Sequence, residues 1–195
     1  MMENVPRELF VPDAERRRAY NDSALPIGHG QTISQPWIVA AIAEALRLQP
    51  GDRVLEIGTG SGYSAAVMAP LARELITIER IEPLAREASG LLERLGLRNA
   101  RVIVGDGTEG WPKEAPYDAI AVHATAPAPP PSLLGQLAPG GRLVIPIAGD
   151  GVDMLTAYRR TEGELDPEAG MGLESHSLGT CRFVPLIGRE GFEER

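Results

Sequence analysis

RVLEIGTGSGY (residues 53–63) decides how the rest of the chain is read. RVLEIG (53–58) is a short apolar run of strand length, and YSAAVMAPLAR (63–73) carries a helical apolar pattern. Between them stand Gly58, Gly60 and Gly62. Glycines at a strand-to-helix turn let a ligand approach the backbone, and the helix start offers unpaired N–H donors. Spacing then selects the ligand. A dinucleotide fingerprint, G-x-G-x-x-G, needs Gly or Ala at position 63, which is Tyr63. Glu56 would repel a pyrophosphate but can meet a cationic ammonium. The turn therefore fits a nucleoside with an amino-acid tail; a purely structural turn is the alternative.

Outward from this unit the pattern alternates. ELITIER (74–80), ARVIVGD (100–106), YDAIAVHA (117–124) and GRLVIPI (141–147) read as strands, and EPLAREASGLLERLGL (82–97) and PSLLGQLAP (131–139) as helices. MLTAYRR (154–160) and SLGTCRFVPLIG (177–188) add two more strands, joined by the acidic stretch 161–174, which reads as a solvated loop. That connection is too short for a helical crossover, so an antiparallel edge pair is expected. The predicted class is α/β: a doubly wound, mostly parallel, Rossmann-like sheet of seven strands. Before it, Pro36–Leu48 reads as a helix opened by Pro36, residues 13–20 as a short helix, and ALPIGHGQTISQP (24–36) as a low-charge loop that packs against something. One domain over 1–195 is expected, divided into an N-terminal segment with that loop (1–36), a core (37–150) and edge strands (151–195).

Composition agrees and excludes other classes. The chain has 195 residues with 22 Gly and 17 Pro, enough to demand many special turns but below the range of low-complexity disorder. Lys and Arg number 19 against 27 Asp and Glu, a net charge of −8, which argues against a nucleic-acid footprint. The single Cys181 forms no intramolecular disulfide framework, and His29, His123 and His176 form no metal motif. No apolar run reaches the ~20 residues of a membrane span, and the N-terminus is too polar for a signal peptide. A cytoplasmic monomer without membrane or metal is expected.

Two further carboxylates close parallel strands, where open α/β sheets bind ligands. Glu79, 17 residues after Gly62, can accept both hydroxyls of a ribose; a solvated strand end is the alternative. Asp106, before Gly107, can accept from an adenine amino group; an Asx turn is the alternative. With Glu56, the three imply S-adenosylmethionine.

VLEIGTGSGY with TIER and GDG resembles a class I methyltransferase. VPRELFVP (5–12), AYNDSALPIGHGQTISQP (19–36), PYDAIAV (116–122), GGRLVIPI (140–147) and RFVPLIG (182–188) narrow the resemblance to the protein-L-isoaspartate O-methyltransferase family. It implies transfer of a methyl group from S-adenosylmethionine to the α-carboxylate of L-isoaspartyl residues in damaged proteins or peptides, with later collapse to a succinimide. It implies Ser34 as the active-site serine. It implies cofactor contacts from Glu56, Gly58, Thr59, Gly60, Ser61, Gly62, Glu79, Arg80, Asp106 and Gly107, and substrate contacts from Leu25, Pro26, Ile27, Gln31, Thr32 and Val184. Three departures stand out: Trp37 where His is frequent, His123-Ala124-Thr125-Ala126 where Thr-Ala-Ala is usual, and fewer residues before Val5 than the family's N-terminal helical portion.

The chemistry needs no base, because a carboxylate is already ionised at pH 7. It needs alignment and a dry site. Ser34 would donate to the carboxylate, or cap the helix from Pro36. Trp37 would meet the cofactor or the core, and His123 reads as a structural histidine. Methylation of aspartate in a biosynthetic peptide, of a small-molecule acceptor, or binding without catalysis remain the other readings.

Overall fold

A computed structural model describes residues 2–167 and 171–194. The first extended pieces, β1 (Leu25–Gly28) and β2 (Gln31–Ile33), pair antiparallel. There follow α1 (Pro36–Leu46), β3 (Arg53–Ile57), α2 (Tyr63–Met68), β4 (Glu74–Glu79), α3 (Glu82–Arg94), β5 (Ala100–Val104), β6 (Tyr117–Val122), α4 (Pro131–Gly135), β7 (Leu137–Ile147), β8 (Asp153–Arg160) and β9 (Leu173–Cys181). The last seven strands form one sheet in the order β5-β4-β3-β6-β7-β8-β9. Neighbours from β5 to β7 are parallel, and β8 and β9 add on antiparallel. The expected fold class is the one observed.

Alternation along the central strands builds two cores. Val54, Leu75, Ala119, Ala121 and Val144 face the layer of α1, α2, α3 and the β1–β2 hairpin. Leu55, Ile57, Ile76, Ile78, Ile120 and Val122 face α4 and Leu186. Each large side chain so buried contributes about 1.5–3 kcal/mol. Strand order reverses at β3: β4 and β5 lie to one side, β6 and β7 to the other. A crevice therefore opens beyond the C-terminal ends of β3 and β6.

Several boundaries differ from expectation. The 24–36 stretch is not a plain loop: Leu25, Ile27 and Ile33 are buried as hairpin residues, and Gly28, His29 and Gly30 all take positive φ at its tip. The 13–20 helix is a 3-10 turn over Asp13–Arg18. The 63–73 helix gives way at Met68 to a 3-10 turn, Ala69–Leu71, with Pro70 in its first turn. The 131–139 helix stops at Gly135, and β7 begins at Leu137. β9 begins at Leu173, not 177, and residues 182–188 do not continue it. Instead they cross the strand ends: Thr125 N–H donates to the Val184 carbonyl and Leu186 N–H to the Thr125 carbonyl. Residues 168–170 of the acidic stretch lie outside the described residues. Among the described residues, no helix is long and apolar enough to cross a membrane.

Candidate active site

The glycine turn after β3 forms one wall of a cavity in the crevice. Gly58, Thr59, Gly60 and Ser61 line it, with Glu79 and Arg80 from the end of β4, Gly107, His123, and Val184 from the crossing segment. Gln31, Thr32 and Ser34 line the same space from the hairpin side. Gly62 does not; it starts α2 at φ +86°, and a Cβ there would lie 3.3 Å from Ala88 Cβ, so its bareness lets α3 pack against the turn. Thr59 and Thr77 hydroxyls bond at 2.6 Å beneath the turn.

Glu79 is not a solvated strand end. It is 6% exposed, and its two oxygens accept from Gly60 N–H and Ile81 N–H, each at 2.9 Å. Each carboxylate oxygen has two lone pairs, so acceptor capacity remains on both. Glu56 is fully buried behind the turn, and neither of its oxygens has a hydrogen-bond partner among the described residues. His123 Nε2 stands 3.2 Å from Glu56 Oε1 and 2.8 Å from Ser64 Oγ.

Asp106 turns toward the C-terminal segment. Its Oδ1 accepts from Thr108 N–H and Oγ1–H, and its Oδ2 from Arg189 N–H. Burial raises the Asp106 carboxyl, but these three hydrogen bonds and the Arg80 charge outweigh it and hold the group below the usual carboxylate value. The Asx-turn geometry is thus realised, and the cavity is lined by the neighbouring Gly107 rather than by Asp106. A Cβ at Gly107 would overlap Ile57 Cγ2, so only glycine brings the backbone this close to β3.

Ser34 does not cap α1. The N-cap is Gln35, with no side-chain bond, and Pro36 supplies the helix start. Ser34 is instead held from behind by Arg7, a residue that sequence reasoning passed over. Arg7 is fully buried; its Nε donates to the Ala19 carbonyl at 2.6 Å and its Nη2 to the Ser34 carbonyl at 2.7 Å. Its guanidinium lies 4.7 Å over the Tyr63 ring, which in turn meets Phe10 edge-on at 5.4 Å. One side chain therefore ties the N-terminal segment, the Ser34 loop and the start of α2 together.

The hairpin residues divide. Leu25 is wholly buried in the core and Pro26 faces outward. Ile27 lines a neighbouring groove with Phe10, Gly60 and Leu84. Trp37 packs neither on the cavity nor in the core: it is 57% exposed, and its backbone N–H donates to the Asp22 carboxylate. Burial, with Asp153 nearby, pushes the Cys181 thiol up to about 11, which leaves little thiolate at neutral pH.

The family model of protein-L-isoaspartate(D-aspartate) O-methyltransferase matches residues 1–191. The chain belongs to this family. The protein-L-isoaspartate O-methyltransferase of Trichlorobacter lovleyi is 52% identical over 194 residues, 99% of this chain and 86% of that relative. Protein-L-isoaspartate O-methyltransferase 1 of Rhodopseudomonas palustris is 54% identical over 192 residues, 98% of this chain and 76% of its own. Among solved structures, a protein-L-isoaspartate O-methyltransferase superposes with a TM-score of 0.84 at 30% identity, covering 96% of this chain; the chain spans 60% of that structure's length. A Plasmodium falciparum structure described as a putative member, in complex with S-adenosyl-L-homocysteine, superposes with a TM-score of 0.76 at 28% identity over 94% of this chain. Membership in the methyltransferase family accounts for the G-x-G-x-G spacing where a dinucleotide fold would carry G-x-G-x-x-G.

Proposed function

We propose that this chain methylates the α-carboxylate of L-isoaspartyl residues in damaged proteins or peptides, using S-adenosylmethionine, and so starts repair through a succinimide. The observation that carries the reading is a single cavity shared by the glycine turn and Ser34. The residues present fit the methyl donor. Glu56, a fully buried carboxylate behind the cavity wall with no hydrogen-bond partner among the described residues, makes that end of the cavity suit a cation, and the donor's ammonium is such a cation. Glu79 keeps free acceptor capacity on both oxygens for the ribose. Gly107 holds the backbone close to β3, where the adenine would lie.

When bound, S-adenosylmethionine supplies an electrophilic methyl group on a positively charged sulfur. The protein has no proton to remove, because the substrate carboxylate is already ionised. Its work is alignment and exclusion of water. Ser34 orients the substrate carboxylate through its hydroxyl, with Gln31 and Thr32 on the same side and Val184 offering backbone to the peptide. Leu25 supports the hairpin from the core and Ile27 from the adjoining groove. We take residues 1–195 as one working unit in the cytoplasm.

Labelled S-adenosylmethionine offered with matched peptides containing isoaspartate, aspartate or neither tests the function. Label enters the isoaspartyl peptide selectively; equal labelling of the aspartyl peptide, or none of any peptide, overturns the reading. Ser34→Ala lowers kcat by about 10- to 100-fold, the worth of one hydrogen bond to a charged group. Calorimetric affinity for S-adenosylhomocysteine stays unchanged in that variant, and an unaltered kcat would remove Ser34 from the mechanism.

A further inference from the structure

His123 follows β6 and its ring reaches back toward β3. Its backbone N–H donates to the Ile57 carbonyl at 2.8 Å, and its ring leans on Phe183 with centroids 6.5 Å apart. The side chain is 7% exposed, and it is a wall of the cavity. Nε2 lies within reach of both Ser64 Oγ and Glu56 Oε1, while neither Glu56 oxygen has a hydrogen-bond partner among the described residues. A carboxylate in that condition is stable beside one positive charge. Glu56 itself does not line the cavity, and two charges can balance it: an imidazolium at His123 in the cavity wall, or the ammonium of an amino-acid tail within the cavity. Both together would crowd like charges into a poorly solvated corner.

We propose that His123, in the cavity wall, supplies the counter-charge of the buried Glu56 until the ligand's ammonium enters the cavity beside it, and that binding of the amino-acid end expels the proton from the imidazole. This rests on the methyl-donor reading and is independent of the methyl acceptor. The exchange balances: one ammonium enters, one proton leaves to solvent, and the net charge of the corner is conserved. The neutral ring then accepts from the Ser64 hydroxyl through Nε2. Around the ring, β3 offers Glu56; the end of β4 offers Glu79 and Arg80 across the cavity. From β8 comes Asp153, whose carboxylate accepts from Thr125 Oγ1–H and Phe183 N–H. α2 presents Ser64 and Tyr63, and α1 presents Val39. Glu56 alone is in ion-pair contact with the imidazole among the described residues.

Proton and ammonium compete for the same buried carboxylate charge. Acid favours the competing imidazolium and weakens binding; base removes the competitor and strengthens it. One proton per ligand limits the slope to about tenfold in Kd per pH unit. Calorimetry of S-adenosylhomocysteine from pH 5.0 to 7.0, where an α-ammonium stays charged, in two buffers of different ionisation enthalpy, reads both slope and proton count. The expected result is a Kd that rises on the acid side with release approaching one proton. His123→Asn binds with no slope and no release. Methylthioadenosine, which lacks the amino-acid tail, shows no slope on the unaltered protein, and this comparison decides even if His123→Asn fails to fold. A flat Kd for S-adenosylhomocysteine, or a slope kept in His123→Asn, overturns the proposal alone. Absence of binding by either ligand at every pH overturns the methyl-donor reading and the proposal with it.

Discussion

Glu56→Gln weakens S-adenosylhomocysteine binding by roughly 10²–10³-fold. Removing one partner of a desolvated charge pair costs about 2–5 kcal/mol, which sets the loss in affinity. Calorimetric titration of the variant checks it. An affinity kept within about threefold would mark Glu56 as a framework residue with no part in ligand binding.

Arg7→Met costs about 3–5 kcal/mol of folding stability. The guanidinium donates to the Ala19 and Ser34 carbonyls and stacks on Tyr63. Each abandoned acceptor costs about 1–3 kcal/mol, and the lost cation–π contact about 0.5–2 kcal/mol. Burial lowers the Arg7 pKa, with Tyr63 and Asp22 opposing it, but the guanidinium stays charged at every pH of interest. Arg7→Lys recovers less than half of the loss, since an ammonium cannot span both carbonyls as the planar fork does. Urea unfolding followed by circular dichroism measures the difference. A loss below about 1 kcal/mol in Arg7→Met would show that solvent replaces the guanidinium and that the N-terminal segment is loosely attached.

The scaffold was readable because parallel strands covered on both faces write near-continuous apolar runs, as in Leu75–Ile78, interrupted only by Thr77, and Ala119–Val122. Glu79 was readable because an acid at the end of such a run has few structural reasons to be there. Arg7 was not, since in VPRELF it looks like any surface arginine; its burial comes from partners 12 and 27 residues later. The Glu56–His123 meeting depends on β3 and β6 becoming neighbours, a fact of topology with no local signal. β9 was misplaced for a physical reason as well. As the outer strand its segment ESHSLGT is mostly exposed and polar, so it lacks the apolar signature, while FVPLIG owes its apolar character to packing over the strand ends. The β1–β2 hairpin hid behind its brevity, with only three or four residues on each side of a tip in positive φ.

The wall of the cavity takes residues from Gln31 at one extreme to Ile187 at the other. Synthesis delivers these pieces in order, and domains begin to fold as they emerge. β3 to β6 can pack early, yet Val184–Ile187 reach Thr125 only after the rest of the sheet has left the ribosome. The methyl donor therefore meets its complete pocket only on a sheet already assembled, whose last wall is laid by Val184–Ile187.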